Sequence, residues 1–210
     1  MRIQRITREI SELDHKNWQL LKSLNTPSKI QDFINTLKFD FRDGHKVDRS
    51  VQGTLRSRKT DCAGGAVFAA AALSLQGRKP LLLDLKTIEP DFDHVLALFQ
   101  VGKYWGAISK TNHAVLRYRE PIYESVRELV MSYFHEYFLY NGKKTLRSYS
   151  KPFDLSRYGT RWFTDKNVVM DIIHALDNYP HTNILTPAQI KNLRKADKIE
   201  IKAGKIVEYK

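Results

Sequence analysis

Residues 60–73 read Thr-Asp-Cys-Ala-Gly-Gly-Ala-Val-Phe-Ala-Ala-Ala-Ala-Leu, and no other run constrains the fold as tightly. Alanine and leucine favour helix, and the segment has no polar face to present to water. A helix that is apolar on every side belongs inside a domain. Its small residues let neighbouring backbones approach closely. Thr60 or Asp61 supplies the N-cap, because a short side-chain oxygen there accepts an unpaired N–H of the first turn. Gly77 supplies the C-terminal stop. The rest of the chain must surround this helix, and 210 residues are enough to build one core around it.

The flanking segments carry weaker patterns. Ile10, Leu13, Leu20, Leu21 and Leu24 share helical spacing and predict a helix over residues 7–24. Thr26-Pro27-Ser28 restarts a second helix, with Ile30, Phe33, Ile34 and Leu37 as its apolar stripe. Residues 39–59 are polar, carry Gly44 and Gly53, and read as a long loop. Residues 80–86, 94–100 and 104–108 predict strands, the last two joined at Gly102-Lys103, and residues 114–118 predict a fourth. Glu120-Pro121 opens a long amphipathic helix to about residue 140, with Leu129, Tyr133, Phe134 and Tyr137 inward. Residues 147–158 fit no single pattern. Residues 166–176 and 187–195 predict helices, and residues 199–209 a C-terminal hairpin across Ala203-Gly204. The expected fold is α+β: a central helix packed on an antiparallel sheet, with extra helices and a C-terminal hairpin. Residues 1–140 form the expected core and residues 141–210 an extension packed on it.

Composition narrows the classes of function. Hydrophobic residues at 42% and charged residues at 28% are an ordinary globular balance, which argues against disorder. No stretch of about 18 apolar residues occurs, so no membrane span is expected. The start, MRIQRITREISELDH, lacks the apolar core of a signal peptide. One cysteine excludes an internal disulfide and fits a reducing compartment, most simply the cytoplasm. The net charge of +12 admits an anionic partner such as nucleic acid, an acidic protein or a membrane surface. The lysines and arginines are spread along the chain rather than gathered in a tract, which weakens the nucleic-acid reading. Seven histidines show no His-Glu-x-x-His spacing, and one cysteine rules out multi-cysteine zinc sites. Neither a metal nor another cofactor is expected. The oligomeric state is left open.

The lone cysteine sits where the central helix begins. There the unpaired N–H groups and the positive dipole end stabilise a thiolate, the reactive form of cysteine. Ala63-Gly64-Gly65 adds no bulk to block a substrate backbone, and its N–H groups suit an oxyanion. A cysteine among alanines is also, more often, simply a small buried hydrophobe. His94 opens a predicted strand, and imidazole there supplies a base for the thiol. A base histidine works best when a third group fixes its ring. A turn at Val101-Gly102 sets His94 opposite Ser109; a longer turn moves it toward Lys110 or Thr111. The orienting group is therefore expected from residues 109–113, with Ser109 and Asn112 as the choices and His113 as a rival base. Asp91 and Asp93 stand near in sequence, but adjacent strand residues point to opposite faces.

These blocks have a familiar order. Thr60-Asp61-Cys62-Ala63-Gly64-Gly65-Ala66 lies on a small-residue helix. A strand follows, then Asp93-His94-Val95-Leu96-Ala97-Leu98, then a hairpin with Trp105-Gly106-Ala107-Ile108. Over residues 26–118 this resembles the transglutaminase-like core of bacterial and archaeal proteins, within the papain-like thiol superfamily. The resemblance implies that Cys62 is the nucleophile and His94 the base. The family's aspartate position falls at Ser109, so Ser109, or Asn112 in the papain manner, would complete the catalytic set. Ala63 and Trp105 fall where the oxyanion and substrate would bind. Gln52 is either a donor to that oxyanion or a solvated loop residue. The implied activity is thiol-dependent acyl transfer on a peptide, isopeptide or other amide of a protein, with hydrolysis the commoner outcome in small microbial members. The alternative is a module of the same fold, inactive for want of the aspartate, that binds nucleic acid or an acidic protein through its basic surface.

Overall fold

Leu13, residues 15–42 and residues 47–209 are described by the structure, a computed structural model. In chain order the helices are α1 (His15–Ser23), α2 (Pro27–Asn35), α3 (Val51–Ser57), α4 (Cys62–Leu75), α5 (Val126–Phe134), α6 (Lys166–Asp177), α7 (Pro187–Lys191) and α8 (Lys198–Gly204). The strands are β1 (Lys38–Phe39), β2 (Lys59–Thr60), β3 (Leu81–Lys86), β4 (His94–Val101), β5 (Tyr104–Ile108), β6 (Arg119–Tyr123), β7 (Ser148–Ser150), β8 (Phe153–Asp154) and β9 (His181–Asn183).

The fold is α+β. Among the described residues a seven-stranded sheet runs β6-β5-β4-β3-β7-β9, with β8 also beside β3, and β1 and β2 form a separate parallel pair. Every pairing in the larger sheet is antiparallel. The strand period of two sorts its side chains into two layers. Leu82, Val95, Ala97, Phe99 and Ile108 pack with α4 and the helices around it. Leu83, Leu85, Leu96, Leu98 and Ala107 pack with α5. The segment after residue 140 contributes β7, β8 and β9 to this sheet, and Val169, Ile172 and Leu176 of α6 join the α4 layer.

α4 is enclosed as an all-apolar helix must be: every residue from Ala63 to Leu73 is buried. Asp61 caps it, accepting from the Gly64 N–H at 2.9 Å. Gly77, at φ +77°, turns the chain away while its N–H bonds Ser74 O. The packing is close enough to need glycine, since a Cβ at Gly65 would stand 2.5 Å from Lys110 Cβ. Two capped neighbours follow the same rules. Thr26 accepts from Lys29 N with Pro27 in the first turn of α2, and Ser50 accepts from Gly53 N in α3.

Several expectations are corrected. Residues 39–59 are not a long loop: they hold part of β1, all of α3 and the start of β2, and α3 buries Val51, Thr54 and Leu55. Residues 114–118 are not a strand, and Glu120-Pro121 does not open a helix. Both residues lie in β6, an edge strand, where a proline without an N–H is tolerated. The helix begins after Ser125, whose side chain accepts from Glu128 N, and it ends at Phe134. The C-terminal hairpin is replaced by α8, because Asp197 and Glu200 form a capping box that nucleates a helix. α1 covers the later part of the predicted first helix; residues 7–12 and 14 of that segment lie outside the described residues. No helix among the described residues is long and apolar enough to cross a membrane.

Candidate active site

A cavity of about 540 Å³ opens where α4 and β4 both begin. Cys62 comes to its wall from α4, His94 from β4, residues 110–113 from the segment after β5, and Tyr137 from the coil after α5. The elements that meet here are far apart in sequence, and the antiparallel sheet together with the α4 cap brings them together.

The Cys62 side chain is half-buried, with the backbone N–H groups of Ala63 and Val95 addressing its sulfur. These donors and Arg49 favour a thiolate, but burial and then the charge of Asp61 prevail, and the thiol is pushed up to about 12. This reverses the expectation that the helix start lowers it. The residue that caps α4 is itself a carboxylate beside the sulfur. Arg49 compensates part of that charge, holding Asp61 through Nε at 2.6 Å and Nη2 at 2.5 Å.

His94 is 6% exposed, and its Nε2 lies 2.8 Å from Ser109 Oγ. The hydroxyl has one hydrogen, which it donates to Leu116 O at 2.6 Å. Toward the histidine it can therefore only accept, so the neutral ring carries its proton on Nε2 and Nδ1 is the bare, basic nitrogen. Burial, then the neighbouring His113, holds the imidazole down to about 4. Ser109 is itself fixed. The Gln31 side chain accepts from its N–H at 2.9 Å and donates to its C=O at 2.8 Å. The hairpin pairs Val101 with Tyr104 and Ala97 with Ile108, which sets the turn at Gly102-Lys103 and carries position 111 opposite His94. The ring reaches back along its own face to Ser109.

His94 and Cys62 share the cavity without a hydrogen bond between them. By strand alternation His94 lies with Leu96 and Leu98 on the α5 side, while Cys62 belongs to the α4 side. Both line the cavity at the start of β4.

The other expected site residues are placed differently. Asn112 lines the cavity, but its amide is spent on the Tyr209 backbone, donating to the carbonyl at 2.9 Å and accepting from the N–H at 2.8 Å. It does not orient His94. His113, the rival base, lines the cavity with Nδ1 3.1 Å from Gly204 O. Trp105 packs in the α5 layer and is not on the cavity wall. Gln52 is half-buried in α3, also off the wall. Ala63 stays at the sulfur through its N–H.

Sequence reasoning missed Gln31 and Tyr137. Gln31 sat inside an amphipathic helix pattern, where a polar residue reads as solvent-facing. Tyr137 matched an inward helical position, although the helix ends at Phe134. Elsewhere, Asp84, Asp93 and Asp177 bring carboxylate oxygens within 4.8 Å of one another. The Lys86 ammonium lies among them, 2.8 Å from Asp93 and 3.6 Å from Asp84, and serves as their cation. Among the described residues this is the cluster with metal-binding spacing, and its chemistry is that of an ion-pair network.

No protein-family model matches the chain, and no curated protein matches it.

Proposed function

We propose that this protein is a thiol-dependent acyl-transfer enzyme of the transglutaminase-like, papain-like kind, acting on peptide, isopeptide or other amide bonds of the cytoplasm. Cys62 is the nucleophile, His94 the base and Ser109 the group that orients the base. One observation carries the reading: Ser109 accepts from His94 Nε2, leaving Nδ1 unprotonated on a ring that lines the same cavity as Cys62. A buried cysteine that merely fills space requires no such arrangement.

The resting pair is neutral, with the proton on sulfur, rather than a thiolate–imidazolium pair. His94 therefore works as a general base. As the sulfur bonds to the carbonyl carbon, the thiol proton passes to Nδ1. The carbon–nitrogen bond breaks and the leaving amine takes that proton. Water then cleaves the thioester. Ser109 offers an oxygen but no charge to the imidazolium, so this site lacks the stabilisation an aspartate gives.

p-Nitrophenyl acetate tests the reading without knowledge of the natural substrate. One acetyl group should appear on Cys62 by mass spectrometry, with an initial burst of one nitrophenolate per chain before water cleaves the thioester. His94→Ala should slow it by about 100-fold or more, the usual worth of a general base. Acetylation of Cys62 at an unchanged rate in that variant removes His94 from the mechanism.

A second reading draws on the protonated thiol and on the missing bond between sulfur and imidazole: a silent module that binds an anionic partner. It expects no acetylation dependent on His94. It expects binding of nucleic acid that weakens with salt and is indifferent to Cys62→Ala.

A further inference from the structure

Tyr137 is 3% exposed, lines the cavity, and holds a buried hydroxyl without any hydrogen-bond partner. A phenol normally finds a partner when buried, because leaving one unmade costs about 1–3 kcal/mol. Among the described residues Thr54 Oγ1 is the other buried hydroxyl in this condition, and Thr54 does not line the cavity. The residue that carries the unmet donor therefore stands on the wall of the candidate site. Burial, then the nearby ionisable groups of Cys62, Asp91, Tyr133 and Asp93, hold the phenol protonated, well above its usual value. It can donate and will not compete as a base. Three of those four ionisable groups, Cys62, Asp91 and Asp93, stand on the cavity wall.

We propose that Tyr137 is a catalytic hydrogen-bond donor, whose missing partner is the carbonyl oxygen of an acyl group under attack by Cys62. The proposal rests on the thiol-site reading above. In the reaction with p-nitrophenyl acetate, the sulfur–carbon bond forms and the thiol proton goes to His94. The carbonyl oxygen takes up negative charge and receives the Tyr137 O–H. The carbon–oxygen bond then breaks, and nitrophenolate leaves with the electron pair. The Ala63 N–H in the first turn of α4 stands at the sulfur as a second donor. Gln52, expected in this role, is off the cavity wall.

Two probes separate the proposal from the reading it rests on. Acetylation by p-nitrophenyl acetate builds charge on a carbonyl oxygen; alkylation by iodoacetamide displaces iodide and builds none there. Tyr137→Phe should slow acetylation of Cys62 by about 100-fold or more, as loss of a single donor does. It should leave alkylation within about twofold. His94→Ala should slow both. Because the lost hydroxyl has no partner, the Phe variant should unfold at equal or higher urea concentration than the parent. Equal acetylation in Tyr137→Phe and the parent, with His94 still required, overturns the Tyr137 proposal and leaves the thiol site standing. Loss of both reactions in Tyr137→Phe, with a lowered urea midpoint, assigns Tyr137 a packing role and also overturns it. Indifference of both probes to His94→Ala overturns the underlying reading instead.

Discussion

Ser109 makes four polar contacts: its hydroxyl serves His94 and Leu116, and its backbone N–H and C=O are both taken by Gln31. Ser109→Ala strips the acceptor from a buried imidazole N–H. Urea unfolding should show a loss of about 1–3 kcal/mol. Acetylation of Cys62 should fall as well, because nothing then selects the tautomer with a bare Nδ1. Ser109→Thr keeps a hydroxyl and should recover part of both. Much of this contact was legible in the sequence, since hairpin spacing confines the partner of His94 to residues 109–113. The thiol was not. The capping rule picks Asp61, the dipole rule favours a thiolate, and the two act in opposite senses on one sulfur. Which prevails depends on burial, and a linear pattern does not carry that. Asn112 was misplaced for a similar reason: its partner, Tyr209, lies 97 positions away.

At the scale of elements, strong local rules were readable and ambiguous ones were not. α4, β3, β4 and β5 follow from continuous apolar runs and glycine turns. Pro121 is consistent with either a helix start or an edge strand, and tertiary position decided for the strand. Ile199 and Ile201 alternate as in a strand, yet the Asp197–Glu200 capping box makes α8. Close packing on α4 leaves no room at its first turns. Gly65→Ala should destabilise by about 1–3 kcal/mol, the scale of overpacking, measured by urea unfolding. The tail is held differently. Glu208 N–H bonds Asn112 O at 2.8 Å, and the Asn112 side chain clamps Tyr209, while Ile206 stays 59% exposed. Asn112→Ala should speed amide hydrogen exchange at Tyr209 and leave the amides of α4 protected. Unchanged exchange at Tyr209 would show that the clamp is not what orders the tail.

For the whole molecule, the two shifted site groups bound the pH range of full stability. The unfolded chain protonates His94 near 6.5, whereas the folded protein holds it down to about 4. Its contribution is complete above about pH 6.5 and is lost as pH falls through 4, a change on the order of 3 kcal/mol. Cys62 acts at the other end. It ionises near 9.0 when free and at about 12 in the fold, so its contribution is complete below 9.0 and is lost as pH rises toward 12. Urea unfolding between pH 7 and 4 should therefore fall more steeply for the parent than for His94→Gln. The +12 charge adds an acid-side loss common to both. The same two values make the pH dependence of Cys62 acetylation by p-nitrophenyl acetate the most direct test of a neutral thiol served by a general base. The parent rate should be flat from about pH 5 to 9 and fall below that, through about 4, as His94 takes a proton, while His94→Ala rises about tenfold per pH unit with the thiolate fraction. A parent rate that itself climbs tenfold per unit through neutral pH, superimposing on His94→Ala, would contradict it.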